Sequence, residues 1–411
     1  MSISAELLAR YADVVVRVGA NVQPGQIVCV EADIGAAPLA RAIARSAYES
    51  GARLVDVWYT DEQLVLGRLQ TAAPDTFGAF PGWRPAAMSA LMDEGGALIM
   101  ILSSNPELLR EQPEAVVATL QRVEAVQYQS VVDRISQNVT NWTGVAAASP
   151  GWAAKVFPAL PAAAQEAALW EAIARVCRLD QADPVAAWRA HIAGLAARAA
   201  ALDERRYTAL HYRGPGTDLT VGLAPGHRWR CGAMETRAGL PFVANLPTEE
   251  VFTMPDARRV DGVVRATMPL NLGGTLVEEF SLTFRDGRAV AATAGAGQAL
   301  LDALLRTDEG AARLGEVALV PQSSPIAQAG TLFYNTLFDE NAACHLALGN
   351  AYRFTQSAAE ALDDDAFRAG GGNLSAIHVD FMVGSAALTI EGVRADGGRE
   401  TVLANGEWAW A

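Results

Sequence analysis

His378 and Asp380 stand two residues apart in the apolar run AIHVDFMVGSAALTI, and a strand there would point both to one face. A charged carboxylate set in apolar sequence is costly to bury unless a positive charge offsets it. A divalent cation suits a neighbouring imidazole and carboxylate. Three upstream blocks offer further ligand types: NLPTEEVFTMP with Glu249 and Glu250, RLGEVALV with Glu316, and FDENAACHLALGNAY with Glu340, His345 and Tyr352. Together they hold what a dinuclear site needs. Neighbours on an extended segment face opposite ways, so only one of Glu249 and Glu250 can enter a site. The expected one is Glu250, with Glu249 facing solvent or making a structural hydrogen bond.

Each group also has a plainer reading. A His-x-Asp pair in a strand is often just hydrogen-bonded, and Tyr352 fits a half-buried packing residue with one polar contact. Glu340 fits a cap for a following helix, NAACHLAL. Cys344 is expected to be a buried packing thiol, because no activating pair is left once the His and acids are assigned to metal. Gly295 and Gly297 in GAGQAL lack the third glycine of a dinucleotide loop, so a loop into the helix QALLDALLR is expected.

The elements that must carry these groups fall into two halves. Up to about residue 130, amphipathic helices alternate with the apolar strands QIVCVEA, ARLVDVWY and ALIMILSS, the mark of an α/β layer with a mainly parallel sheet. Helical spacing continues through residues 151–205, in segments expected to bridge to the next domain. From about residue 206 the pattern turns to alternating strands with tight turns, RDGR being a hairpin signal. An N-terminal α/β domain over 1–205 and a C-terminal α+β domain over 206–411 are therefore expected, with every ligand candidate in the second.

Composition narrows the partners. The 411 residues are 51% hydrophobic and 19% charged with a net charge of -14, which fits a globular chain and disfavours nucleic acid. No uncharged apolar stretch is long enough for a membrane span. The N-terminus lacks the pattern of a signal peptide, and Cys29, Cys177, Cys231 and Cys344 form no CxxC pair. A cytoplasmic protein with reduced thiols is expected.

At these four blocks the chain resembles the metallo-aminopeptidases typified by aminopeptidase T, aminopeptidase S and PepS. The resemblance runs through NLPTEEVFTMP, VDGVVRATMPL, RLGEVALVPQSSPIAQAGTLFYNTLFDENAACHLALGNAY and IHVDFMVGS. In the N-terminal half it rests on the order of elements and on NWTGVAAASPGWAAKVFP. It implies a cytoplasmic, homodimeric two-metal exopeptidase that removes the first residue from peptides with a free N-terminus. Carried over by position, the metal ligands are Glu250, Glu316, His345, His378 and Asp380, with Glu316 as the bridge. Glu340 and Tyr352 lie beside them, Glu340 as a further ligand or as the base, Tyr352 as an oxyanion donor or a completing ligand. Mixed His and carboxylate ligands suit two divalent ions of Zn, Co or Mn. Two rivals are a mononuclear-iron, ring-cleaving dioxygenase of a related branch and a non-catalytic metal- or peptide-binding protein.

Overall fold

The computed structural model describes residues 3–272, 275–357 and 359–410. Two compact units interleave along the chain: one comprises residues 1–192, 233–247 and 332–337, the other 193–232, 248–331 and 338–411.

The first unit is built on a five-stranded parallel sheet in the order Asn245–Leu246, Trp142–Ala146, Ala97–Leu102, Ile27–Asp33, Leu54–Thr60. Its central strand, Ala97–Leu102, is an unbroken apolar run because both of its faces are covered, and Ala97, Leu98 and Ile99 are all buried. On one face Cys29 and Leu98 pack with Met88, Met92 and Val131 of the helices Trp83–Asp93 and Glu114–Ser136. The helix Ala5–Val14 starts where the Ser4 hydroxyl accepts the Leu7 N–H, which satisfies one of its free N-terminal donors.

Two antiparallel sheets make up most of the described strands of the second unit. The larger runs Arg288–Thr293, Ser281–Arg285, Pro255–Arg265, Thr217–Leu223, Ala209–Gly214, Thr389–Val393, Arg399–Ala404, Glu407–Trp408. RDGR does form a hairpin, with Asp286 and Gly287 at φ 49° and 78°, the positive pair a tight two-residue turn requires. The smaller sheet runs His378–Met382, His345–Gly349, Leu314–Leu319, Val251–Thr253, Arg230–Cys231. Apolar alternation is absent from Leu314–Leu319 and His345–Gly349 because every residue in both is buried. The helix read over NAACHLAL does not form: Glu340–Ala342 is a single 3-10 turn and His345 opens a strand. Among the described residues no helix is long and apolar enough to cross a membrane.

Candidate metal centre

Strand register explains how the residues meet. In the smaller sheet His345 lies opposite Ala318 and Met382, Ala347 opposite Glu316 and Asp380, and Gly349 opposite His378. Directly paired residues share a face, so Glu316, His345, His378 and Asp380 all project from one side. Phe252, opposite Ala318, joins that side, and Glu250 sits two residues before it. The positions between the acids and imidazoles are Ala347 and Gly349, whose small size leaves a hollow in the middle of the face. Gly349 is also required by its backbone, since at φ 101° a Cβ would lie 2.1 Å from the Ile377 carbonyl.

Two groups of possible ligands result, Glu250 with Glu316 and His345, and Glu316 with His378 and Asp380, the atoms of each group lying within 4.8 Å of one another. Glu316 belongs to both. Its Oε1 is 3.5 Å from His345 Nε2 and its Oε2 is 3.9 Å from His378 Nε2. His345 Nε2 also lies 3.1 Å from Glu250 Oε2, and His378 Nε2 lies 3.5 Å from Asp380 Oδ1. Each ring is oriented from behind: His345 Nδ1 donates to the Ala343 carbonyl at 3.1 Å and His378 Nδ1 to the Asn350 carbonyl at 2.7 Å. Such a bond fixes the tautomer and leaves Nε2 to face a cation.

The electrostatics describe a centre short of positive charge. Burial, and behind it the carboxylates of Glu250 and Asp380, drive the Glu340 carboxyl well above its ordinary range. Burial also raises Glu316, an effect only partly offset by His345 and His378. Desolvation works against protonation of the imidazoles, yet the facing acids win. His345 is pushed far up by Glu250 and Glu316, and His378 to about 9 by Asp380 and Glu316. Asp380 is held low, because His378 and His345 outweigh the cost of its burial. With each imidazole neutral and its proton on Nδ1, Glu250 Oε2 and Asp380 Oδ1 are buried oxygens left without a hydrogen-bond donor. Buried carboxylate oxygens without donors are expensive, and a cation in either group of ligands would satisfy them. The donor set therefore fits divalent metal.

The remaining residues fall around this centre. Glu249 does not face solvent: it is 3% exposed, and its backbone N–H donates to Asn341 Oδ1 at 2.7 Å. Glu340 lies in neither ligand group. Tyr352 tilts over the His378 ring at 4.7 Å, and burial together with the charges of Glu316, Asp380, Glu340 and Glu250 raises its phenol. It stays protonated. Cys344 is buried with its thiol directed to the Val320 carbonyl, and burial raises it to about 11, so no thiolate is available there. Residues that sequence reasoning missed are Asn341, which touches both the Glu249 backbone and Glu340 Oε1, and Asn350, whose backbone orients His378. Neither belongs to a ligand type or stands at a telling spacing.

The chain is 46% identical over 401 residues to aminopeptidase T of Thermus thermophilus, covering 98% of both proteins. It is 44% identical to aminopeptidase 2 of Geobacillus stearothermophilus, again over 98% of each, and 42% identical to aminopeptidase AmpS of Bacillus subtilis, over 99% of each. A solved structure titled wild-type AmpT from Thermus thermophilus superposes with a TM-score of 0.93 at 44% identity, covering 98% of this chain and 99% of that one. The profile of the thermophilic metalloprotease family M29 matches residues 4–408. Matched over nearly its whole length, the chain belongs to the M29 metalloprotease family.

Proposed function

We propose that the protein is a two-metal aminopeptidase whose ions are held by Glu250, Glu316 and His345 on one side and by Glu316, His378 and Asp380 on the other. The observation that carries the reading is the position of Glu316, with its two oxygens turned to two different imidazoles. Charge supports bound metal: the carboxylates of Glu250, Glu316 and Asp380 converge on two imidazoles, and divalent ions would offset their negative charge. The relatives are named aminopeptidases, which favours peptide substrates and does not favour the ring-cleaving dioxygenase.

When bound, such ions polarise a carbonyl and acidify water. The chain's own residues supply the rest. Glu340 lies outside both ligand groups and its carboxyl is driven up, so it suits the base that takes a proton from the attacking water and returns it to the leaving amine. The Tyr352 phenol remains a hydrogen-bond donor and is placed to stabilise the developing oxyanion. An ion held at this centre would suit the lone pair of a neutral α-amine, which accounts for action at a free N-terminus. A cytoplasmic homodimer belongs to the same reading, and light scattering at twice the chain mass would bear on it.

The test strips the purified protein with chelator and reloads it with Zn, Co or Mn. Expected are about two ions per chain by elemental analysis, hydrolysis of leucine amide, and no hydrolysis of N-acetyl-leucine amide. One ion per chain would sink the two-metal scheme. Equal cleavage of both amides would sink the exopeptidase, and tight metal binding without turnover would leave the binding protein.

A further inference from the structure

An arc of aromatic rings borders the centre from one group of ligands to the other. Phe252 stands two residues after Glu250 on the face that carries His345, and its ring meets Phe354 edge-on at 6.1 Å. Phe354 stacks on Tyr352 at 5.3 Å with the rings 18° from parallel, and Tyr352 in turn tilts over His378 at 4.7 Å. The short turn that presents Phe354 is held at its backbone: Arg230 Nε donates to the Phe354 carbonyl at 2.8 Å and the Thr355 hydroxyl to the Tyr352 carbonyl. Phe252 is buried, whereas Tyr352 and Phe354 each keep part of their surface open. A fixed, partly open aromatic surface beside a buried charged centre is what a substrate pocket is made of: apolar walls with a few convergent polar groups. Tyr352 stacks on the Phe354 ring and Phe252 meets it edge-on, and the residue still keeps open surface.

We infer that Phe354 is a specificity-determining residue, forming with Tyr352 the wall against which the substrate's first side chain packs and so favouring large apolar residues over glycine. This rests on the aminopeptidase reading, and it names the substrate class at that same site. Phe354 belongs to neither group of possible ligands and its ring contacts are with Phe252 and Tyr352, so metal content is expected to survive its removal.

The test compares the zinc-loaded wild type with Phe354→Ala and Phe354→Leu. Readouts are kcat/KM on leucine amide and glycine amide, calorimetric binding of leucine and glycine hydroxamates, and metal content. A side chain of leucine size packed on an apolar wall is worth roughly 10- to 200-fold in discrimination. Phe354→Ala is expected to cut the leucine-to-glycine ratio by about tenfold or more in both readouts, mainly through KM, with metal content unchanged and Phe354→Leu in between. An unchanged ratio, an equal loss on both ligands, or no leucine preference in the wild type overturns the inference. Failure of the wild type to cleave either amide counts against the aminopeptidase reading instead, and the hydroxamate ratio then still decides the role of Phe354.

Discussion

Glu249 and Glu250 are chemically identical and adjacent, and only direction separates them. Glu250 meets His345, while the Glu249 backbone is pinned by Asn341 and its side chain is buried away from solvent. Replacing a charged ligand by its isosteric amide removes charge without changing shape. Glu316→Gln is therefore expected to lower metal affinity by at least about a hundredfold, the upper end of what losing an outer-shell partner costs, and to abolish turnover. Glu249→Gln should keep its metal and differ from the wild type only in stability. Metal content after dialysis against chelator measures both, and equal loss in the two variants would refute the choice of Glu250.

At the scale of elements, the face between the ligand groups depends on a small residue in the strand His345–Gly349. Ala347 lies between Glu316 and Asp380 in register. Adding two methyl groups there fills space that ions would need, while a buried Val still suits a strand. Ala347→Val is expected to fold with native circular dichroism and to bind less than half the wild-type metal; full metal loading would show that the face is not where ions sit.

The loop before His378 is held by one acid. Asp308 accepts from the Ser375 hydroxyl and the Ala376 N–H on that loop, and from the Gly310 and Ala311 N–H groups before Leu314–Leu319. Burial acts to raise its carboxyl, but these donors outweigh it and hold it below the ordinary value. A group depressed in the folded state adds stability that is present above its unfolded pKa and is lost as pH falls through the folded one. The Tm of the wild type should therefore drop on acidification below about pH 4 more steeply than that of Asp308→Asn. Parallel Tm profiles for the two would discard this assignment.

Across the molecule's described residues, every candidate ligand belongs to the second unit, and none of these groups lies on the parallel sheet of the first. Metal binding is then linked to the folding of one unit. At a free ion concentration a hundred times Kd the gain is about 2.7 kcal/mol. Hydrogen exchange on adding Zn should slow in Leu314–Leu319, His345–Gly349 and His378–Met382, with little change in Ile27–Asp33 or Ala97–Leu102. Uniform slowing over both units would contradict a site confined to one.

Reading the chain alone was enough for fold class and for the two kinds of layer, because apolar period and turn chemistry are local properties. The parallel sheet was legible in QIVCVEA and ALIMILSS, and the hairpin in RDGR. Other features were settled only in three dimensions. His345 sits in a strand rather than a helix, because a strand buried on both faces carries no alternation to read. Asn245–Leu246 joins the parallel sheet of the first unit, a pairing no local pattern announces. Ala347, Phe354, Asn341 and Asn350, which lie beside the candidate ligands, are ordinary residues whose place there comes from register and long-range packing. Residue chemistry says which groups can hold a cation; only strand pairing decides that Glu250, Glu316, His345, His378 and Asp380 turn toward one point.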